Sequence, residues 1–221
     1  MGILTGNVGY LRFVVIGELP EQLGDAYADA LQGHAFSEID ADGDEERAVG
    51  WVRFDDPFAS EWAPAELGAA DGRVLLRLRV DGLKVPGVML KAYQQVAERA
   101  RLRQAGRDKL TRAEKDQVKL EVKKELRRRS LPRMALHDVV WNLSSGEVRL
   151  FATSKAVAGL FVELFEKTFA VQLRMLSPLT VLWNRGVSDE DLEKLAATEP
   201  ERFHLDAGRR QSGGARSGGE G

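Results

Sequence analysis

The sequence predicts an α+β protein with a mixed or antiparallel sheet, packed helices and a projecting basic helical hairpin. Short segments rich in β-branched and aromatic residues alternate with segments whose apolar residues recur every three or four positions. In the stretch from Arg73 to Val80, Val74, Leu76, Leu78 and Val80 recur at every second position and alternate with Arg77 and Arg79, which is typical of a half-buried strand. At 221 residues, of which 43% are hydrophobic, the chain is long enough to build a core.

The part of the chain before the hairpin combines three predicted elements with a strong acidic bias. A strand is predicted at Val8 to Ile16, a short helix at Pro20 to Leu31 and a second strand at Ala48 to Phe54. Between Glu18 and Asp71 there are fifteen carboxylates and two arginines, a net charge of −13. The centre of this region is the run Asp40-Ala-Asp-Gly-Asp-Glu-Glu46.

The first helix of the hairpin is predicted to start near Pro86, because proline suits the opening turn of a helix. Gly106 is expected to end or interrupt it. The apolar residues that share one side of this helix are Met89, Tyr93, Val96 and Ala100.

The second helix is predicted to begin at Thr111, which forms a capping box with Glu114. It is expected to run to about Arg129 and to stop before Pro132. A narrow apolar seam, suited to packing on the first helix, consists of Val118, Val122 and Leu126. Basic residues follow one side of this seam and acidic residues the other.

Charge is the strongest functional indication in the sequence. From Lys91 to Arg133 there are fifteen Lys or Arg residues and six Asp or Glu residues, so this segment carries +9 while the whole chain carries −2. A polyanion, most plausibly nucleic acid, is the partner that such a surface favours. The residues predicted to bind DNA are Lys91, Arg99, Arg103, Arg107, Lys109, Arg112, Lys115, Lys119, Lys123, Lys124, Arg127, Arg128, Arg129 and Arg133.

The remaining elements complete an α/β core on both sides of the hairpin. They are strands at Met134 to Leu143 and Glu147 to Thr153, a helix from Ser154 to about Ala170, a strand at Val171 to Leu176, a helical turn at Leu179 to Trp183 and a capped helix at Ser188 to Ala197. The predicted organisation is an N-terminal core part at 1–85, the hairpin at 86–133, a second core part at 134–206 and a disordered Gly/Ser/Arg tail at 207–221.

Several short motifs resemble those of the recombination-associated protein RdgC family. The most distinctive run is Thr111-Arg-Ala-Glu-Lys-Asp-Gln-Val-Lys-Leu-Glu-Val122, followed by Leu131-Pro-Arg133 and a strand hairpin. Similar short segments are Val85 to Lys91, Gly50 to Val52, Leu176 to Pro178 and Trp183 to Gly186. The resemblance covers roughly residues 48 to 186.

The resemblance implies a non-enzymatic protein that forms a ring-shaped dimer around duplex DNA, has little sequence preference and limits RecA-driven strand exchange. A homodimer, an indirect effect on a RecA-type recombinase and a nucleoid-associated cytoplasmic location are expected on this basis. Family members extend further at the carboxyl end, so we expect a segment that helps to build their ring to be absent here. They also tend to carry an aromatic residue soon after Leu-Pro-Arg, where this chain has Met134-Ala135.

Other interpretations of the charge pattern remain open. Charged helical hairpins are often solvated protrusions or dimerisation arms without a ligand. The acidic region of one subunit could also meet the basic hairpin of another, which would make the protein a non-catalytic oligomeric interaction protein whose charges direct self-assembly.

The sequence favours no catalytic, metal or cofactor site. Asp40, Asp42 and Asp44 resemble a fragment of a calcium loop, but a glycine lies too early and the twelfth position lacks Glu. The three histidines lack metal-ligand spacing, and neither a phosphate-binding glycine loop nor a Gly-x-Ser-x-Gly elbow occurs. Of the four tryptophans, Trp51 and Trp141 are expected in the core. Without cysteine, a secretory n-region or a long apolar run, a soluble cytoplasmic protein with no membrane association is expected.

Overall fold

The computed structural model describes residues 9–19, 24–62, 72–177, 180–182 and 186–198, and within them the chain forms a six-stranded sheet and helices. The strands are β1 (Leu11–Ile16), β2 (Arg47–Val52), β3 (Arg73–Gly82), β4 (Arg133–Asn142), β5 (Glu147–Leu150) and β6 (Gln172–Met175). The helices are α1 (Asp25–Gly33), α2 (Gly87–Ala105), α3 (Arg112–Arg129), α4 (Lys155–Phe169) and α5 (Asp189–Ala197).

The sheet has the strand order β2-β3-β4-β5-β1-β6, and every neighbouring pair of strands is antiparallel. The predicted α+β class is therefore confirmed, with an antiparallel sheet. The longest strands, β3 and β4, pair in register from Arg73 opposite Asn142 to Gly82 opposite Arg133. Both ends of the helical hairpin consequently leave the sheet from directly opposed residues.

The period-two pattern of β3 places its apolar side chains on one face of the sheet. Val74, Leu76 and Leu78 are at most 2% exposed and belong to the main hydrophobic core. The aromatic side of α4 belongs to the same core, with Phe161 and Phe165 fully buried. Because full burial of a large apolar side chain stabilises a fold by about 1.5–3 kcal/mol, this layer accounts for much of the driving force.

Trp51 and Trp141 lie in this core and are 0% exposed, as predicted. The indole N–H of Trp51 donates to Thr168 Oγ1 at 2.8 Å, and that hydroxyl donates to the carbonyl of Leu164 at 2.7 Å. The buried polar end of Trp51 therefore has a partner, as buried indoles require. Trp62 is partly buried against the core, and Trp183 lies outside the described residues.

Gly50 permits an unusually close approach of two backbone segments beside β2. Residues 34–36 run along this strand, with backbone hydrogen bonds from Phe36 N to Trp51 O (2.9 Å) and from Trp51 N to His34 O (3.1 Å). A Cβ atom at Gly50 would overlap the backbone of Phe36. The absence of a side chain thus lets the chain after α1 close on the sheet.

Element boundaries differ from the predicted ones by a few residues. The second strand and the first helix begin and end close to their predicted positions, although residues 20–23 lie outside the described part of the chain. β5 ends at Leu150, earlier than the predicted Thr153, because the backbone turns at Ala152, whose N–H donates to the carbonyl of Leu150 at 2.9 Å. Ser154 occupies the N-cap of α4 but makes no capping hydrogen bond through its side chain.

The chain divides into two compact units, Met1–Ser177 and Pro178–Gly221. The sheet, the hairpin and helices α1 to α4 belong to the first. In the second, residues 180–182 are helical, and Ser188 Oγ caps α5 by accepting a hydrogen bond from Asp191 N at 3.2 Å. The predicted tail from residue 207 lies outside the described residues.

Candidate nucleic-acid interface

The hairpin consists of α2 and α3, which follow β3 and precede β4 in the sequence. The two helices pack on each other. Gly106 ends α2 in the left-handed conformation (φ 60°), and its N–H bonds to carbonyls of the last turn. Glycine adopts this conformation without the steric cost that a Cβ atom imposes. The predicted break at Gly106 is confirmed, and it allows the chain to reverse into α3.

The predicted capping box at the start of α3 is confirmed. Glu114 N donates to Thr111 Oγ1 at 3.3 Å, and Thr111 N donates to Glu114 Oε2 at 2.8 Å. Arg107 donates to the other carboxylate oxygen of Glu114. The Thr111 N–H, and then Arg107, lower the pKa of Glu114 from 4.5 to about 2. Arg107, a predicted DNA-binding residue, is therefore engaged at the turn of the hairpin.

The two helices differ in how much apolar surface they bury. In α3, Val118 and Leu126 are 2% and 4% exposed, so the predicted seam is buried at these positions, and Val122 is half-buried. None of the residues of α2 is buried. The apolar side of α2 stays open, with Met89 45%, Tyr93 49% and Val96 65% exposed.

Most of the fourteen predicted DNA-binding residues lie on the surface. Twelve are exposed, Lys123 is half-buried and Arg127 is buried. We call the exposed residues of this set that make no salt bridge within the described part of the chain the open basic set. Its members are Lys91, Arg99, Arg103, Lys109, Arg112, Lys115, Lys119, Lys124 and Arg133.

Arg127 requires a correction, because its side chain is only 1% exposed. Its Nε donates to the carbonyl of Ala41 at 3.0 Å, and its Nη2 donates to the carbonyls of Asp40 at 2.9 Å and Glu45 at 2.7 Å. The guanidinium is thus occupied by backbone acceptors of a distant segment. Arg127 fixes the base of the hairpin to that segment, and the predicted contact with DNA does not fit this position.

The segment held by Arg127 is residues 40–46, which we call the acidic loop. It contains five carboxylates, and two of them reach the hairpin. Asp42 Oδ1 lies 2.7 Å from Arg128 Nη2, and Glu46 Oε1 lies 3.3 Å from Lys123 Nζ. The predicted basic stripe is therefore divided: nine of its cations are open, whereas Lys123 and Arg128 are paired with carboxylates of the acidic loop.

Salt bridges between the helices and within α3 occupy some of the other cations. Arg101 lies 3.6 Å from Glu121, and Arg129 pairs with Glu125 one turn earlier at 2.6 Å. Each of these pairs is well exposed, so its contribution to stability is about 1 kcal/mol or less. The arginines remain at the surface and can exchange a carboxylate for a phosphate.

A second group of cations lies on the face of the sheet opposite the core, and the sequence reasoning did not identify it. Arg12 and Arg149 are neighbours across β1 and β5, and both bond to Glu147, at 3.0 and 2.7 Å. Those two hydrogen bonds lower the pKa of Glu147. The period-two pattern of these strands was the signal that could have placed the two arginines together. Arg77 is likewise paired with Asp138 at 2.7 Å. Carboxylates thus balance this face, in contrast to the open basic set.

The histidines and the calcium-loop fragment gain no functional role from the structure. His34 Nδ1 lies 3.0 Å from the carbonyl of Ala30, and burial lowers the pKa of His137 in β4. His204 lies outside the described residues. Among the residues that the structure describes, no three His, Cys, Asp or Glu side chains are arranged to hold a metal ion.

No protein-family model matches this chain, and no curated protein matches it. The resemblance to the RdgC family therefore rests on the short motifs and stays a prediction. Within the described ranges, none of the helices combines the length and the apolar character needed to cross a bilayer.

Proposed function

We propose that this protein is a non-sequence-specific DNA-binding accessory factor that contacts the phosphate backbone through its helical hairpin. The observation that carries the proposal is the open basic set: nine exposed cations without a salt bridge in the described chain, eight of them on the helical hairpin and one, Arg133, at the start of β4. Phosphate contacts by Lys and Arg release condensed counterions, which supplies most of the free energy of non-specific binding. Binding with a Kd of about 10⁻⁴–10⁻⁶ M at physiological salt is typical of this mode.

The geometry favours backbone contact over base reading. Within the hairpin the cations of the open basic set are distributed along both helices and the intervening turn, from Lys91 to Lys124, and no helix-turn-helix or zinc-finger arrangement accompanies them. Side chains spread in this way match phosphates, which repeat regularly along any duplex, and carry no sequence information. We therefore propose duplex DNA of any sequence as the principal ligand.

The biological role that we propose is non-catalytic, in recombination or replication. A protein that occupies duplex phosphates competes with the filament of a RecA-type recombinase for the same DNA, so modulation of strand exchange follows from binding alone. The resemblance of residues 111–122 and 131–133 to the RdgC family supports this role, and we propose a nucleoid-associated location together with it.

The proposal is tested with a variant that removes three members of the open basic set, Lys115→Gln, Lys119→Gln and Lys124→Gln. We expect its affinity for a random-sequence duplex to fall by about tenfold or more, because each lost phosphate contact forfeits its counterion release. Fluorescence anisotropy at 50 mM salt measures this change. Equal affinities for two duplexes of unrelated sequence are expected as well.

A matched control removes three lysines outside the hairpin, Lys155→Gln, Lys167→Gln and Lys194→Gln. All three are exposed, and the change in net charge is the same. If the control variant loses as much affinity as the hairpin variant, or if neither loses any, the hairpin is not the DNA-binding element.

The second candidate function is self-association, and the exposed apolar side of α2 favours it. Val88 and Val96 are 83% and 65% exposed on a helix that buries none of its residues. A charge-driven assembly has less support, because Asp42 and Glu46 already contact cations of their own chain. Sedimentation of the protein without DNA separates the two candidates: a monomer that binds DNA excludes assembly as the primary function, and a dimer without DNA affinity favours it.

A further inference from the structure

We propose that the acidic loop is an internal competitor of DNA, whose carboxylates occupy phosphate-binding cations at the base of the hairpin and thereby weaken DNA binding. This inference rests on the proposed function and concerns the regulation of the same surface. We therefore expect the hairpin to bind DNA less tightly in the presence of the loop carboxylates than in their absence.

The loop is held in place by a buried attachment that does not use its carboxylates. Arg127 is 1% exposed and donates to three backbone carbonyls, those of Asp40, Ala41 and Glu45. A charged donor that bonds to three backbone carbonyls fixes the backbone of the loop beside α3. Within the loop, Asp42 N donates to Asp40 Oδ1 at 2.9 Å, which orders the turn.

This attachment directs two loop carboxylates at two cations of the predicted DNA-binding set. Asp42 lies 2.7 Å from Arg128, and Glu46 lies 3.3 Å from Lys123. A carboxylate presents oxygen acceptors to a guanidinium or ammonium group much as a phosphate does. DNA that reaches the base of the hairpin must therefore displace these carboxylates or leave Arg128 and Lys123 uncontacted.

The same carboxylates are dispensable for the fold, which makes them suited to a competitive role. The side chains of Asp42 and Arg128 are 52% and 57% exposed, and those of Glu46 and Lys123 are 49% and 33% exposed. Salt bridges between such exposed groups add little to stability. The loop keeps its position through Arg127 even when its carboxylates are neutralised, so binding and folding can be separated by mutation.

The remaining charge of the loop acts in the same direction. Asp40, Asp44 and Glu45 bring the total to five carboxylates in seven residues beside the hairpin. Like charges within about 8–10 Å repel one another at physiological salt, and a phosphate backbone near the base enters that range. The open basic set, whose cations make no salt bridge with the loop, is the part of the surface that engages DNA first.

The test is the double variant Asp42→Asn with Glu46→Gln, measured against a random-sequence duplex by fluorescence anisotropy between 50 and 200 mM salt. We expect the affinity of the double variant at 50 mM salt to exceed that of the wild type by about tenfold or more. We also expect the slope of log K against log salt to become steeper by about 2, since each newly available cation adds about 0.9.

The matched control is Glu163→Gln with Glu190→Gln. Both carboxylates are exposed and form salt bridges with lysines, Lys167 and Lys194, outside the hairpin, so the control removes two exposed salt bridges and changes the net charge equally. Thermal unfolding of both variants should match that of the wild type. Equal gains in the loop variant and the control, or an unchanged slope in the loop variant, would overturn the proposed competition.

The two proposals fail in distinguishable ways. If the variant Lys115→Gln, Lys119→Gln, Lys124→Gln binds DNA as well as the wild type, the proposed function fails. If that variant loses affinity but the loop variant gains no more than its control, the hairpin binds DNA and only the competition by the acidic loop is refuted.

Discussion

Neighbouring residues at the end of α3 have opposite roles. Arg127 points into the protein and bonds to carbonyls of the acidic loop, while Arg128 is 57% exposed and pairs with Asp42 at the surface. Successive residues on a helix are 100° apart, so a basic triplet necessarily points in three directions. A run of like charge therefore does not define one surface, and the third member, Arg129, pairs with Glu125 on its own helix.

Substitution of these two arginines should separate stability from DNA binding. Arg127→Gln removes the charged donor of three partly buried hydrogen bonds, and a hydrogen bond to a charged group contributes about 1.5–3 kcal/mol. We expect the free energy of unfolding to fall by about 2–4 kcal/mol in a urea titration.

Arg128→Gln serves as the comparison, because it removes the same charge from an exposed position. Its free energy of unfolding should change by about 0.5 kcal/mol or less. Equal losses of stability in the two variants would show that Arg127 does not anchor the acidic loop as the structure indicates.

At the scale of elements, the hairpin depends on the turn between its two helices. α2 ends at Gly106, α3 starts at the capping box of Thr111 and Glu114, and Arg107 connects the turn to Glu114. Leu110, 8% exposed, is buried within the same turn. These few residues fix how the cations of α2 lie relative to those of α3.

The carboxylate of Glu114 makes the stability of the hairpin depend on pH. Its pKa in the folded protein, about 2, is below its ordinary value of 4.5, so the folded state favours the ionised form. The stabilisation is fully present above pH about 4.5 and is lost as the pH falls towards 2. In urea titrations, Glu114→Gln should be less stable than the wild type at pH 6, and the difference should shrink between pH 4.5 and 2.

Two further variants complete this experiment. Thr111→Ala, which removes the N-cap, should lower stability by about 1 kcal/mol at pH 6. Asp116→Asn, which removes a carboxylate of α3 outside the capping box, serves as the comparison variant. If the difference in free energy of unfolding between Glu114→Gln and the wild type did not depend on pH, the role assigned to the capping box would be contradicted.

Most helices and strands could be predicted from signals among neighbouring residues. Contacts between residues that are distant in sequence could not be predicted in this way. The alternation of β3 and the Thr-x-x-Glu box of α3 depend on a few neighbouring residues, and both are present as predicted. The bonds from Arg127 reach residues more than eighty positions away, and nothing in a basic triplet marks its first member as buried. The pairing of β1 with both β5 and β6 is also long-range and has no local signal.

At the scale of the molecule, the fold separates the core from the charged surface. The hairpin is inserted between β3 and β4, whose ends meet at Gly82 and Arg133. The sheet can therefore keep its register whatever the hairpin carries, and the hairpin can hold +9 in a chain of net charge −2. The carboxylates of the acidic loop place negative charge beside the base of this hairpin.

The measurement that tests the central claim most directly is the salt dependence of wild-type binding to a random-sequence duplex. If the open basic set contacts phosphates, about four to six of its nine cations should engage at once, and log K should fall with log salt with a slope of about −4 to −5. A slope near zero between 50 and 200 mM salt, or no binding at 50 mM salt, would contradict the account.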